Sequence, residues 1–394
     1  MAETPPAVRR RRRVAPDPAL LGRALLLAGE QAPDALLVVL RQLLAGAGAT
    51  DVVLWLPDYR QRELRPTSST QPSPTLFRPV AIGDVGPGRA FSDQATYEQR
   101  VPAGVLLHCP ATVRGQRMAV LSIALPDPPD DAGLRTAASL AIAAGYLLLE
   151  AGRGTDLYDV ERRHARLSVA AEMQWQLLPA RTYRTPHFDV AGQLEPATHV
   201  GGDSFDFSVT GAALQLAIVD AGGESQAASL TATLAVSALR NARRAGLPPA
   251  EQAALAGEAV WREYRGVRTV SALLLHLDNV AGRATVVAAG LPALFRVRAG
   301  ELERLDASAQ APLGALPDDA YDAHAVDLVC GDRAVVLTDG ALVEPGGLPP
   351  VDLRLLSRLS PAEAVRRVVT GLRGGRAEPE DDATVVCVDW LAVS

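Results

Sequence analysis

At 394 residues the chain is long enough for two or three domains, and with 48% apolar residues it can bury a large core. Its formal charge of −6 is mildly acidic and points away from a dedicated nucleic-acid binder. All 39 basic residues are arginine, which excludes Schiff-base catalysis, a P-loop lysine and a kinase's phosphate-binding lysine.

In chain order, Arg9 to Arg13 lies between prolines. It reads as a solvated, disordered tail over 1–17, with contact to anionic lipid or nucleic acid as the sharper alternative. No signal peptide is expected, since no apolar stretch with a cleavage site follows the charged start. From Pro18 to about Leu44 the pattern is helical. DVVLWLPD reads as a strand, VGPGRAFSD as a turn entering a short helix, and VLLHCPATVRGQRMAVLSIAL as two strands joined around Arg114–Arg117. A helix closes this unit at 131–150. Its most apolar run, Ala137 to Leu149, is shorter than the roughly 18 residues that span a bilayer, so no transmembrane segment is expected. The order helix, strands, helix over 18–150 suggests an α+β sensory module. The cysteines Cys109, Cys330 and Cys387 have no zinc or redox spacing, which suits a reducing cytoplasm.

Over 151–180 the chain changes character. Residues 156–178 have apolar positions spaced by three and four, which predicts a connecting helix. It reads equally as a surface helix or as one that packs on a partner, including a second copy in a homodimer. From His187 onward short strands dominate: FDVAGQL, SFDFSV, ALQLAIVD, VSALLLHLD, ATVVAAG, ALFRVRAG, AVDLVC, RAVVLTDG and TVVCVDW. Helices are expected at 225–245, 249–264 and 360–373. Without a strand–helix–strand rhythm, antiparallel sheets with helices on their outer faces fit best.

The stretch HVGGDSFDF carries two aspartates, Asp203 and Asp206. Side chains alternate along a strand, so Asp203 shares a face with Phe205 and Phe207, while Asp206 shares the other with Ser204. Asp220 continues the face of Leu214, Leu216 and Ile218, and glycines follow it. Asp339 is read as continuing the face of Val335 and Leu337, again before a glycine. The pair Asp381 and Asp382 precedes TVVCVDW. One Asp-Gly alone is a hairpin turn. Four acidic strand ends within 181–394 point instead to a shared divalent-metal site, because a buried unpaired carboxylate is costly and hard oxygen ligands suit Mg²⁺ or Mn²⁺. The spacing does not choose between Asp381 and Asp382. The adjoining glycines let backbone approach closely.

At these residues the chain resembles the metal-dependent protein phosphatases (PPM, type 2C), in the SpoIIE-like bacterial branch that acts on regulators of alternative sigma factors. The matching pieces, in family order, are the helix ending LLP at Pro179, EPATHVGGDSFDF, IVDAGGESQAASL, AAGLPALF, PLG at 312–314, TDGALVE and DDATVV. The resemblance covers about 181–394. It implies an α-β-β-α sandwich of two antiparallel sheets flanked by helices, holding two Mn²⁺ or Mg²⁺ ions bridged by a water. It implies Asp203 and Asp220 as central ligands, the backbone carbonyl of Ala221 as another, and Asp339 and Asp381 completing the set; here the resemblance chooses Asp381. The implied reaction is in-line attack of metal-activated hydroxide on phosphorus, without a protein nucleophile. A cysteine-based phosphatase needs arginine after five intervening residues, and Cys109 has Arg114 after only four.

Three departures stand out. Glu224 and Ser225 occupy the place of the usual His-Gly, Leu291 replaces a histidine, and Ser271 stands where threonine is common. None removes an implied ligand. The resemblance also implies a phosphorylated STAS-type anti-sigma-factor antagonist as substrate and a cytoplasmic location. Residues 18–150 resemble a GAF domain, a fold that binds small molecules or dimerises. His108 and Cys109 lie on its strand pair and read as core residues rather than haem or metal ligands. A pseudophosphatase scaffold is the alternative that Glu224 and Leu291 keep open; a metal-dependent nuclease is disfavoured by the lack of histidine ligands.

Overall fold

The computed structural model describes residues 8–67, 78–163, 168–196, 201–223, 225–290, 292–342, 356–372 and 381–391. The chain divides into two compact units, Met1–Arg166 and Leu167–Ser394.

In the first unit, strands β1 (Val8–Arg10), β2 (Asp51–Pro57), β3 (Glu63–Pro66), β4 (Val80–Ala81), β5 (Tyr97–Val101), β6 (Gly104–Val113) and β7 (Gln116–Leu125) form one sheet in the order β1-β5-β6-β7-β2-β3-β4. The period-2 pattern decides its two faces. Val52, Leu54, Leu56, Leu107, Cys109 and Ala111 join a core with helices α1 (Pro18–Gly29), α2 (Leu36–Ala45) and α4 (Asp131–Ala151). Val53, Trp55, Tyr97 and Val120 face the other way, onto Phe91 of α3 (Pro87–Asp93). Cys109 is thus a core residue whose thiol burial pushes up to about 12. His108 lies on the opposite face within 2.6 Å of Ser122 Oγ, which also accepts a 2.8 Å bond from Trp55 Nε1. Burial pushes its imidazole down to about 4.

Two expectations, and the reason given for a third, need correction here. The arginine tail is ordered from Val8: β1 pairs with β5, and Arg11 Nε lies 3.0 Å from the buried Glu98 carboxylate. An edge strand's free backbone groups and a buried acid both need partners, and this segment supplies them. Helix α4 is longer than its most apolar run, and by length and composition it could cross a membrane. Its Leu134, Ala137, Leu140, Ala144 and Leu148 are instead buried in the first unit's core. The single helix over 156–178 is two short ones, α5 (Leu157–Arg162) in the first unit and α6 (Val169–Leu177) in the second. Arg163 adopts extended backbone and ends α5; Ser168 Oγ caps α6 by accepting from Ala171 N.

The second unit has four layers. One sheet, in the order β10-β11-β12-β13-β16, contains β10 (Asp203–Val209), β11 (Ala213–Ala221), β12 (Val270–Asp278), β13 (Arg283–Ala289) and β16 (His324–Val326). The other, in the order β15-β14-β17-β18-β9-β8, contains β8 (Thr182–Arg184), β9 (Phe188–Glu195), β14 (Ala293–Arg298), β15 (Glu301–Leu305), β17 (Arg333–Leu337) and β18 (Ala383–Trp390). All strand pairings are antiparallel. Phe205, Leu216, Ile218 and Leu275 of the first sheet meet Val190, Val336, Val386 and Val388 of the second in the central core. Helices α7 (Ser225–Arg244) and α8 (Pro249–Tyr264) cover the first sheet through Ala232, Val236 and Val260. Helix α9 (Pro361–Leu372) covers the second through Ala364, Val365 and Val368. Helix, sheet, sheet, helix is the α-β-β-α order expected. The strand expected over 325–330 stops at Val326, because the Asp332 carboxylate accepts from Val329 N and pairs with Arg298, folding the segment into a turn.

Candidate metal centre and active site

Asp203 opens β10 and stands directly opposite Asp220, near the end of β11. Their side chains share the face of Phe205 and Ile218, both buried between the sheets. Directly opposed residues place their Cβ atoms about 5 Å apart, a separation at which like charges destabilise a sheet. From the second sheet, the 3₁₀ turn Asp339–Ala341 after β17 and the segment before β18 bring in Asp339, Asp381 and Asp382. Strand ends of both sheets thus gather five carboxylates.

Asp203 is 2% exposed. Thr338 Oγ1 donates to its Oδ2 at 2.7 Å and accepts from Thr384 N at 2.9 Å. The buried Gln174 of α6 donates from Nε2 both to the Asp203 carbonyl at 3.0 Å and to Asp382 Oδ2 at 2.5 Å. Gly201 N donates to the same Asp382 oxygen at 3.0 Å. Two glycines are required by close approach. A Cβ on Gly202 would overlap the Ala221 carbonyl oxygen, and one on Gly340 would overlap that of Asp382.

The electrostatics follow from this crowding. Burial, then the charges of Asp220 and Asp382, hold the Asp203 carboxyl well above the usual range against the lowering effect of its threonine bonds. Burial and the charges of Asp339, Asp381 and Asp382 push Asp220 up to about 7. The chemistry of this donor set suits a hard divalent cation: all-oxygen, acidic, and mutually repelling without one. Asp339 and Asp381 are exposed, and each directs Oδ1 to the next backbone N–H, of Gly340 and Asp382 respectively, at 2.8 Å. Among the described residues no three acidic, histidine or cysteine side chains are preset to hold one ion. The residues are gathered, and closing a cage requires those two side chains to turn.

Asp206 is not part of this group. It points to the other face, is 4% exposed, and pairs with Arg240 at 2.8 Å and Arg243 at 2.7 Å on α7. The face argument for Asp339 is corrected: Val335 and Leu337 face α9, and it is Val336 and Thr338 that look between the sheets. Asp339 reaches the site because the strand ends at Leu337 and the 3₁₀ turn redirects the chain. Ser271 lies across the ladder from Asp220. Glu224, Leu291 and the side chain of Ser225 lie outside the described residues. Sequence reasoning missed Gln174, Thr338 and Thr384; a polar residue interrupting an apolar helix face at Gln174 was the available signal.

Residues 210–391 match the family described as stage II sporulation protein E (SpoIIE). The matched residues lie within the second unit. Among solved structures, the SiaA PP2C domain of Pseudomonas aeruginosa is 23% identical, over 56% of this chain and 93% of that one, with a TM-score of 0.47. The PP2C phosphatase domain of SpoIIE from Bacillus subtilis, solved with a fragment of its regulatory domain, is 20% identical over 53% and 64%, with a TM-score of 0.43. The serine/threonine phosphatase PstP/Ppp of Mycobacterium tuberculosis is 17% identical over 52% and 100%, with a TM-score of 0.41. No curated protein matches the chain in sequence.

Proposed function

We propose that the second unit hydrolyses phosphoserine or phosphothreonine on a protein, using two Mn²⁺ or Mg²⁺ ions held by Asp203, Asp220, Asp339, Asp381 and the Ala221 carbonyl. The observation that carries this reading is the direct pairing of Asp203 with Asp220, beside and within the stretch that matches the SpoIIE family, with three further carboxylates raising the local negative charge. Divalent ions bound there would supply an acidified water and neutralise charge on the phosphoryl oxygens. The chain's own groups do the positioning. Thr338 holds Oδ2 of Asp203. Gln174 and Gly201 fix Asp382 and hence the chain direction at Asp381. The Cys387 thiol, on β18, does not compete as nucleophile, since burial pushes it up to about 12.

The substrate that family resemblance favours is a phosphorylated STAS-type antagonist of an anti-sigma factor, in the cytoplasm. Residues 18–150 are proposed as a GAF-like sensor of a small molecule. The outward-turned Asp339 and Asp381 favour one second reading, a pseudophosphatase scaffold. Hydrolysis of para-nitrophenyl phosphate by the full chain with Mn²⁺, beside Asp203→Ala and Asp339→Ala, tests between them. Turnover lost in both variants and with chelator supports the phosphatase. A folded chain inert toward this ester and toward phosphorylated antagonists supports the scaffold.

A further inference from the structure

The turn that leads into β12 places a guanidinium beside the loop that leaves β11. Helix α8 ends at Tyr264. Arg265, at φ 52°, donates back to the Trp261 carbonyl at 2.7 Å, and Val267 N donates to the Tyr264 carbonyl at 3.0 Å. This tight return lays the Arg268 guanidinium over the Tyr264 ring, 5.8 Å from its centroid. Arg268 Nη1 also lies 3.3 Å from where a side chain at Gly223 would begin. The strands explain that proximity: Ala221 pairs with Val270 across the ladder, and Gly222 N donates to the Thr269 carbonyl at 3.3 Å. Arg268 therefore flanks the segment that immediately follows Asp220 and Ala221.

Arg240 and Arg243 are committed to Asp206, whereas no carboxylate among the described residues pairs with Arg268. Gly223 follows Asp220 by three residues, a reach of at most roughly 10 Å. A peptide whose phosphoserine lay at the carboxylates would bring a residue two or three positions away to this guanidinium.

We propose that Arg268 is a specificity residue that receives a carboxylate of the substrate protein, two or three residues from the phosphorylated side chain. The proposal rests on the phosphatase reading above. A guanidinium binds a carboxylate through two parallel hydrogen bonds, and stacking on Tyr264 holds the fork in place beforehand.

The test compares two phosphoserine peptides, one with aspartates two and three residues to either side and one with alanines there. Hydrolysis by the full chain with Mn²⁺ and binding by fluorescence anisotropy are both read. The wild type is expected to prefer the acidic peptide about fivefold. Arg268→Ala is expected to bring that ratio to about one, Arg268→Lys to keep part of it, and Arg268→Glu to favour an arginine-flanked peptide instead. A wild type that is active yet indifferent to the flanking acids overturns this proposal alone. So does a ratio that survives in Arg268→Ala, including the case where both peptides weaken together. A folded wild type that hydrolyses neither peptide nor para-nitrophenyl phosphate removes the phosphatase reading and this proposal with it.

Discussion

Replacing Asp220 with asparagine should stabilise the metal-free protein. The Asp220 carboxyl sits at about 7 against an ordinary 3.8. At about 1.4 kcal/mol for each pH unit, ionising it in the folded chain costs up to about 4 kcal/mol. Sharing of protons among the coupled carboxylates and the partial exposure of Asp220 reduce this to about 2 kcal/mol. Because the folded value lies above the unfolded one, the unfolded chain gives up its proton first. Stability without metal therefore falls as pH rises from about 4 to about 7 and is level above that. Asp220→Asn removes this loss, so in EDTA at pH 8 it should raise the melting midpoint by about 5 °C. At pH 4, where the wild-type carboxyl is already protonated, the two proteins should melt together. Saturating Mn²⁺ should reverse the order, since the wild type gains binding energy that the variant lacks. Thermal melts of the full chain at both pH values, with and without EDTA, measure all three effects. A variant that melts at or below the wild type at pH 8 in EDTA would refute the reasoning.

Asp206→Ala strands two partly buried guanidiniums and should cost about 3 kcal/mol in a urea titration, while activity at low temperature persists. Gly340→Ala drives a methyl group into the Asp382 carbonyl and should lower Mn²⁺ affinity at least about tenfold in a chain whose circular dichroism is unchanged. In native buffer one thiol, the exposed Cys330, should react with Ellman's reagent; Cys109 and Cys387 should react only in guanidinium.

Much of this architecture was legible because strand alternation is a local signal. Phe205, Leu216 and Ile218 face the central core, and Asp203 and Asp220 follow on that face, as alternation requires. The long helices α7, α8 and α9 fall within a residue or two of where periodicity places them. What failed depended on contacts distant in sequence. Nothing near Arg11 announces Glu98 as its partner, so the tail read as disordered. Gln174 falls on an apolar helix face, but its partners Asp203 and Asp382 are distant in sequence. Asp339 comes near Asp220 by a route other than strand alternation, because alternation cannot foresee a 3₁₀ turn beginning two residues after the strand ends. The break between α5 and α6 was masked by apolar spacing that continues across it.

Asp203, Asp220, Asp339 and Asp381, with the Ala221 carbonyl, are proposed to form a divalent-metal site. Calorimetric titration of the full chain with Mn²⁺ tests it most directly, beside Asp203→Asn as control. Two ions per chain are expected in the wild type, with loss of at least one in the variant. A folded wild type that binds no Mn²⁺, or a variant that binds as the wild type does, would contradict it.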